Sequence, residues 1–325
     1  MNDEKLLTPE QEAELFRFVE DEDMKASEKI IAPRYSYWKS VFRVFFKKKS
    51  NYFLITLFVL IFVIAFTMPN FWVYDSFENV TDATTFNLSP SAAMARFGGF
   101  SFKYLLGTGS LGNSILYGIV ASSRTSLMIA TICAAINMFL GIIIGAIWGY
   151  SKKLDKVFIV IYQIVANVPY ILLISVLVYV IGSGFWPFVF ALTVTGWLGI
   201  AYFFRTQVMI IRDREYSLAS RCLGTPVLRV INKNILPFLT SVIVTILATE
   251  LPSYISMEVF LSYIGVGLSA SVPSLGRMIQ QAQTGFLTYP WEFWPPVAIA
   301  SMITIILYVL GQNLADASDP RTHMM

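Results

Sequence analysis

The chain has 325 residues, of which 56% are hydrophobic and only 14% are charged, and its formal net charge is +3. A soluble globular domain carries about 25% charged residues, so this composition excludes an ordinary soluble protein, while the small net charge says little about partners. Apolar runs recur at the length of about 20 residues that a helix needs to cross a bilayer, without the alternation of barrel strands, and we predict an all-α polytopic membrane protein.

The N-terminal part of the chain changes character near residue 34. Residues 1–33 are acidic and polar, which predicts a solvated cytoplasmic tail and not a signal peptide. Residues 34–50 combine apolar and basic side chains at helical spacing, which is typical of an amphipathic helix lying on an anionic membrane surface. The apolar positions of this interfacial helix are Trp38, Val41, Phe42, Phe45 and Phe46.

Six transmembrane helices are predicted from the apolar runs that follow. They lie near 52–70, 126–149, 157–181, 186–204, 238–264 and 294–314. Lysine and arginine concentrate in 34–50, 150–157 and 205–234, so the positive-inside rule places these segments and both termini in the cytoplasm. Residues 51–125 then form the first transmembrane helix and a long extracellular loop, and residues 126–321 form a five-helix core.

The predicted outer loop contains a glycine pattern known from dinucleotide-binding sites, but it lacks the strand–helix context that such a site requires. Residues 107–112 read G-x-G-x-x-G, which binds dinucleotides only between a strand and a helix, so here we expect the glycines to shape a turn. The chain has no G-x-x-x-x-G-K-[ST] pattern and supplies no P-loop for ATP. Cys133 and Cys222 are not expected to pair, and the single histidine, His323, excludes a multi-histidine metal site.

The segment 205–237 is polar and basic between strongly apolar runs. A short helix is predicted from Tyr216, with Gly224 as its C-terminal cap. Pro226 would start a second helix and Pro237 would open the next membrane helix, because proline is favoured in a first turn. Such a segment would be stiff enough to transmit a displacement to the membrane helices. An ordinary basic cytoplasmic loop would have the same composition, so both interpretations stay open.

The fifth apolar run carries two acidic residues, Glu250 and Glu258, with Pro252 between them predicting a kink. Carboxylates within a membrane are costly and rarely face lipid. These two are candidates for lining a substrate path or relaying protons, and equally for a pair satisfied by hydrogen bonds between helices.

Other small and polar residues in the predicted spans indicate either contacts between helices or a water-filled path through the protein. Gly141 and Gly145 have the G-x-x-x-G spacing that predicts close packing against another helix. Four polar residues could line a path for a peptide backbone or join helices by hydrogen bonds, namely Asn137, Gln163, Asn167 and Gln207.

The segment 214–237 resembles the EAA loop of ABC-importer permeases, in which E-A-A precedes a glycine and then an isoleucine and a proline at set spacings. The candidate ATPase-coupling residues of this loop are Glu215, Tyr216, Ala219, Ser220, Arg221, Gly224, Thr225, Pro226, Ile235 and Pro237. Leu218 stands where the family pattern has Glu, and Ser220 replaces its second Ala.

Further segments in order along the chain resemble motifs of dipeptide and oligopeptide permeases. They are 106–127, 258–267, Pro290–Trp291 and 311–321. Over about residues 35–321 the chain therefore resembles the C-type permease subunit of oligopeptide ABC importers, of the Opp/Dpp/Ami kind and the type I importer fold.

The resemblance implies a transmembrane subunit that forms half of a translocation pathway and is not itself an enzyme. Its expected partners are a homologous second permease, two cytoplasmic ABC ATPases that hold the EAA loops, and an extracellular peptide-binding lipoprotein. No cofactor is expected in this chain, since ATP and Mg²⁺ would bind the ATPases. The expected location is a bacterial plasma membrane, and the expected mechanism is alternating access.

Two other functions remain open at this level. A proton-coupled secondary transporter would use Glu250 or Glu258 as its proton site and would need no ATPase. A membrane scaffold or sensor without transport would be served by the acidic tail at 1–33. The EAA-like loop and the lack of a visible internal repeat argue against the secondary transporter.

Overall fold

The computed structural model describes residues 36–269 and 271–319. The chain divides into two compact units, Met1–Ser40 and Val41–Met325, and of the first unit only residues 36–40 are described. The predicted acidic tail at 1–33 and His323 lie outside the described residues.

Helices dominate the described ranges, where no strand forms and a single isolated bridge joins Thr108 and Ser114. In chain order the α-helices are α1 (Tyr37–Lys47), α2 (Lys49–Phe71), α3 (Pro90–Arg96), α4 (Ile115–Tyr150), α5 (Lys152–Ala166), α6 (Tyr170–Ile181), α7 (Phe185–Thr193), α8 (Trp197–Arg212), α9 (Glu215–Cys222), α10 (Val227–Val230), α11 (Thr240–Tyr263), α12 (Leu275–Ala282) and α13 (Pro290–Ser318). A π-helical stretch at Ile231–Ile235 and a 3₁₀ turn at Leu236–Leu239 connect α10 to α11.

Within residues 36–269 and 271–319, five segments are long and apolar enough to cross a membrane. They are α2, α4, Phe185–Arg212, Val227–Tyr263 and α13. The pair α5 and α6 qualifies only together, which makes a sixth span when the pair is counted as one. The all-α membrane fold predicted from the sequence is confirmed.

The third predicted span, 157–181, is wrong as a single helix, because α5 and α6 meet at an angle of 82°. The break falls at Asn167, Val168 and Pro169. Proline lacks an N–H, and its ring disfavours helical geometry in the residue before it, so the helix ends ahead of Pro169 and restarts after it.

The second span begins earlier than predicted. Ser114 caps α4 by accepting a 3.2 Å hydrogen bond from the backbone N–H of Tyr117, so the helix starts at Ile115 and not near 126. The polar run Ser122–Thr125 lowers the local hydropathy, but Ser122 and Ser123 are buried inside the helix bundle. The loop that precedes this helix therefore ends at residue 114 and not at 125.

A glycine stripe brings α4 and α8 into close contact, which confirms the packing predicted from Gly141 and Gly145. A Cβ built on Gly145 would lie 2.5 Å from the carbonyl oxygen of Ala201, and one on Gly141 would lie 2.5 Å from Cγ2 of Ile200. Gly149 continues the stripe towards the end of α4. At Gly145 and Gly149 the glycines lie against backbone atoms of α8, the close approach that small residues permit in membranes.

Two clusters of buried apolar side chains form the core. The larger one joins α4, α6, α7, α11, α12 and α13, and includes Phe188, Ile174 and Leu261. The smaller one lies where α4 and α8 approach the 205–237 segment. It contains Met138, Ala146, Ile200, Phe204, Val208, Val230, Ile231, Ile235 and Leu239. This second cluster positions the segment whose function is considered next.

Candidate functional site

Helix α9 ends in a Schellman motif centred on Gly224. The backbone N–H of Thr225 donates to the carbonyl of Ser220 at 3.1 Å, and that of Gly224 donates to Arg221 at 3.0 Å. Gly224 has φ +75°, a left-handed conformation that other residues rarely adopt. The predicted cap is therefore confirmed, and it fixes a sharp turn between α9 and α10.

The predicted second helix and the role of Pro237 shift slightly. Pro226 precedes the first residue of α10, which spans only Val227–Val230. Pro237 lies in the 3₁₀ turn Leu236–Leu239, and α11 begins three residues later at Thr240. Between them the chain stays helical through the π stretch, so the loop is a stiff series of short helices.

Ile235 anchors the loop to the membrane helices. Its side chain is fully buried, as is that of Val230, and both belong to the apolar cluster formed with Phe204 and Val208 of α8. Burying such a side chain stabilises the folded state by about 1.5–3 kcal/mol. The isoleucine expected from the EAA pattern is thus a packing residue here, whereas Pro237 is exposed.

Apolar side chains flank the Gly224 turn on its outward side. Leu223 is 86% exposed, Leu228 65% and Val227 49%, and Leu218 is exposed on α9. We call these four leucine and valine residues the turn surface. Glu215, Tyr216, Ala219 and Arg221 of the same helix are also exposed. Clustered exposed apolar residues on a polar segment mark an interaction site.

Arg212, the last residue of α8, is buried and caps α4. Its Nη1 donates to the carbonyl oxygens of Gly149 at 2.9 Å and Tyr150 at 3.4 Å. Its Nε and Nη2 donate to Asp213 at 3.0 Å each, and these hydrogen bonds hold the pKa of the Asp213 carboxyl below its ordinary value. A cation is favourable at a helix C-terminus, where the last carbonyls carry negative charge.

A second arginine ties α8 to α5 and was not anticipated. Arg205 pairs with Asp155 through both guanidinium and carboxylate groups, with Nη2 and Oδ2 2.9 Å apart. The indole Nε1 of Trp148 donates to Asp155 at 2.8 Å, and its ring centre lies 5.5 Å from the guanidinium of Arg205. The sequence signal was available, since Asp155 is the single acid within the basic stretch 152–156.

Asn137 and Glu258, two of the residues that could line a substrate path, are buried and form hydrogen bonds between helices. Asn137 donates from Nδ2 to the Tyr254 hydroxyl at 2.6 Å and to the Leu192 carbonyl at 3.3 Å. Glu258 accepts from the hydroxyls of Ser126 at 2.6 Å and Ser262 at 3.0 Å. Both are 0% exposed in the chain, so neither reaches a water-filled path within this subunit.

Glu250 and Asn167 line cavities. The Glu250 cavity measures about 300 Å³ and is lined by Tyr170, Thr195, Gly196, Gly199, Glu250, Ser253, Tyr254 and Met257. A second cavity of about 370 Å³ at the α5–α6 break includes Asn167 and shares Tyr170, Thr195 and Gly199 with the first. Gln163 is exposed and Gln207 is half-buried, and neither lines these two cavities.

Hydroxyl groups on α11 form a polar face that sequence reasoning missed. Thr249, Ser253 and Ser256 are exposed and line a groove of about 500 Å³ between α11 and α13. Their spacing of four and three residues places them on one side of the helix. This spacing is visible in the sequence and was a usable signal, since Ser262 alone among the serines and threonines of α11 is buried.

Comparisons with known proteins agree with this geometry. Residues 138–324 match the family described as the binding-protein-dependent transport system inner membrane component. The chain is 45% identical over 313 residues to the oligopeptide transport system permease protein AmiD of Streptococcus pneumoniae, covering 95% of this chain and 98% of that one. It is 30% identical over 306 residues to the dipeptide transport system permease protein DppC of Bacillus subtilis, covering 92% and 91%.

A solved structure shows the same fold. A chain of the MetNI methionine ABC transporter, in inward-facing conformations, superposes with a TM-score of 0.53 at 17% identity. The match covers 63% of this chain and 97% of that one. At this identity the likeness concerns the fold alone.

Proposed function

The chain belongs to the family of binding-protein-dependent transport system inner membrane components, and from this premise we propose that it is a permease subunit of an ATP-driven oligopeptide importer. The observation that carries the proposal is the 45% identity across 95% of the chain to a protein named as an oligopeptide permease. The subunit forms half of the translocation pathway, and a homologous second permease forms the other half.

We assign the chemistry of the cycle to partner proteins. Two cytoplasmic ABC ATPases bind and hydrolyse ATP with Mg²⁺, and an extracellular binding protein delivers the peptide. This chain contributes the pathway and the mechanical link, so it is a transporter subunit and not an enzyme. It resides in a bacterial plasma membrane with both termini in the cytoplasm, an orientation supported by the basic segments 150–157 and 205–234.

The link to the ATPases is the turn surface on α9 and α10. Leu223, Val227 and Leu228 are exposed on a segment that the positive-inside rule places in the cytoplasm, where lipid does not cover them. Docking them in an ATPase groove removes this apolar area from water. Arg221 and Arg229 beside them are exposed and supply positive charge for an acidic rim.

Movement of the docked loop reaches the membrane helices through two fixed joints. Ile235 is buried in the second apolar cluster, and Arg212 caps α4 while ending α8. Both contacts are buried and tightly packed. A displacement of α9 would therefore also displace α8 and α11. ATP binding then favours one access state of the pathway over the other, which is a coupling free energy between the ATPase and peptide sites.

The proton-coupled alternative is not supported. The curated relatives described above are named as transport system permeases, and the similar solved fold belongs to an ABC transporter. Glu258, one of its two proposed proton sites, is enclosed by Ser126 and Ser262 and has no exposed surface in the chain.

Reconstitution tests the proposal. Proteoliposomes holding this chain with its second permease and ATPases, supplied with binding protein, should import a labelled oligopeptide only with hydrolysable ATP. Uptake driven by a proton gradient without ATP would overturn the proposal.

The docking surface is tested by Leu223→Ser, which should release the ATPases in a mild-detergent pull-down. Leu287→Ser is the matched control, because Leu287 is equally exposed at 82% but precedes α13 outside the loop.

A further inference from the structure

Glu250 is the acidic side chain in the spans that faces open space. Among the described residues, the two carboxylates well inside membrane-crossing helices are Glu250 and Glu258. Glu258 is fully buried and receives hydroxyl hydrogen bonds on both oxygens. Glu250 is half-buried and lines the cavity of about 300 Å³ between α6, α8 and α11.

Tyr254 is a polar neighbour of Glu250 in the cavity. Tyr254 follows one helical turn later and lines the same cavity as Glu250. The Tyr254 hydroxyl accepts a 2.6 Å hydrogen bond from buried Asn137, so its own proton is free to point at the carboxylate. The Glu250 carboxyl itself remains available to the cavity.

The cavity holds polar groups besides Glu250 and adjoins a second cavity. Ser253 and Thr195 present hydroxyls there, and no lysine or arginine belongs to the lining. The adjoining cavity at the α5–α6 break has three lining residues in common with it and adds about 370 Å³. This space suits a group larger than a single ion, extended along the wall of the subunit.

A carboxylate is rarely left facing lipid, because hydrocarbon neither hydrates nor pairs it. The face of α11 with Glu250 therefore belongs to the wet side of the subunit, together with the exposed hydroxyls of Thr249, Ser253 and Ser256. A group that neutralises the carboxylate there gains a charge-assisted hydrogen bond in a site that lacks an internal cation.

We propose that Glu250 binds a primary ammonium group of the transported peptide as it passes through the pathway. The inference rests on the proposed function and adds a substrate-binding residue to it. The ammonium is either the peptide N-terminus or a lysine side chain, and both have the same chemistry. Glu250 would favour peptides that carry such a group over blocked ones, beyond any selection made by the binding protein.

The test compares the reconstituted complex with wild-type chain and with Glu250→Gln, which removes the charge and keeps the shape. Initial uptake is measured at sub-saturating concentration for three tripeptides: one unblocked and without lysine, its N-acetylated form, and an N-acetylated form containing one lysine. Because the binding protein is the same in both preparations, its preferences cancel in the variant-to-wild-type ratio for each peptide.

A loss of about tenfold with Glu250→Gln is expected for peptides carrying the recognised ammonium. A loss confined to the unblocked peptide identifies the N-terminus, and a loss confined to the lysine peptide identifies the side chain. The acetylated peptide without lysine should keep a ratio near one, and Glu250→Asp should restore part of the uptake. Glu292→Gln, the same change at a carboxylate outside both cavities, should leave all three ratios near one.

Equal ratios for all three peptides would overturn the assignment of Glu250 while leaving the importer intact. If the wild-type complex imported none of them with ATP, the proposed function itself would fall, and the role of Glu250 with it. ATPase activity measured on the same vesicles separates a loss of peptide binding from a loss of assembly, because only the second lowers hydrolysis for every peptide.

Discussion

The guanidinium of Arg212 donates a 2.9 Å hydrogen bond to the carbonyl oxygen of Gly149, so the last residue of α8 closes the end of α4. This contact lies where the membrane helices meet the loop that we propose as the ATPase link. It joins the two helices that also share the glycine stripe. Several expected effects of substitution depend on these joints.

Replacing Arg212 with lysine should weaken the joint although the charge is kept. Lysine lacks the planar fork that serves the α4 carbonyls and Asp213 at once. We expect a loss of about 1–3 kcal/mol in stability, the range for hydrogen bonds to charged groups, seen as a lower melting temperature in detergent. Arg214→Lys, an exposed arginine two residues away, is the control and should melt like the wild type.

Replacing Gly224 with valine should uncouple ATP hydrolysis from transport. A β-branched residue disfavours φ +75°, at a cost of about 1–2 kcal/mol, so the turn between α9 and α10 would open. Gly224→Asn should retain most of the function, because asparagine tolerates this conformation. The measurement is peptide uptake per ATP hydrolysed, and an unchanged ratio for the valine variant would contradict the proposed role of the turn.

Replacing Gly145 with alanine should force α4 and α8 apart. The added Cβ would lie 2.5 Å from the Ala201 carbonyl oxygen, which as backbone cannot move aside cheaply. Overpacking of this kind costs about 1–3 kcal/mol and should appear in thermal unfolding. Gly199→Ala is the matched control on α8, since a Cβ there meets nothing within 4 Å. Equal melting temperatures for the two variants would argue against tight α4–α8 packing.

The amides of Asn51 and Asn313 should prove energetically coupled. Asn51 is fully buried, accepts a 2.6 Å hydrogen bond from Asn313 and donates to the Phe45 carbonyl at 2.7 Å. A double-mutant cycle with alanine at both positions should give an interaction of about 0.5–3 kcal/mol, measured by thermal or denaturant unfolding. Additive single effects would show that the start of α2 and the end of α13 are not joined through this pair.

Local backbone chemistry made the loop predictable from sequence. Gly224 could be predicted as a helix cap because few other residues accept its conformation. Pro169 could have indicated the helix break, since proline restricts the backbone of its nearest neighbours. The angle of 82° between α5 and α6 is a property of the tertiary structure and was not available from periodicity. Hydropathy alone does not identify Ser114 as a cap, because the polar run Ser122–Thr125 interrupts the apolar pattern of α4.

Tertiary contacts were not predictable in the same way. Glu250 and Glu258 look alike in the sequence, eight residues apart on one helix. What separates them is Ser126, which lies 132 positions away on α4 and encloses one of the two carboxylates. Asn137 likewise became a helix joint through Tyr254, a partner that no local pattern indicates. A single sequence holds no record of such pairs.

The length of α4 has a mechanical consequence. Its 36 residues rise by about 1.5 Å each and span roughly 54 Å, whereas the hydrocarbon of a bilayer is about 30 Å thick. The helix is uninterrupted over this length, from Tyr117, whose ring centre lies 4.6 Å from that of Trp72, to Gly149 beside Arg212. In the importer that we propose, this one element reaches from the ATPase side to the side where peptide arrives, so a tilt imposed at one end would move the other end.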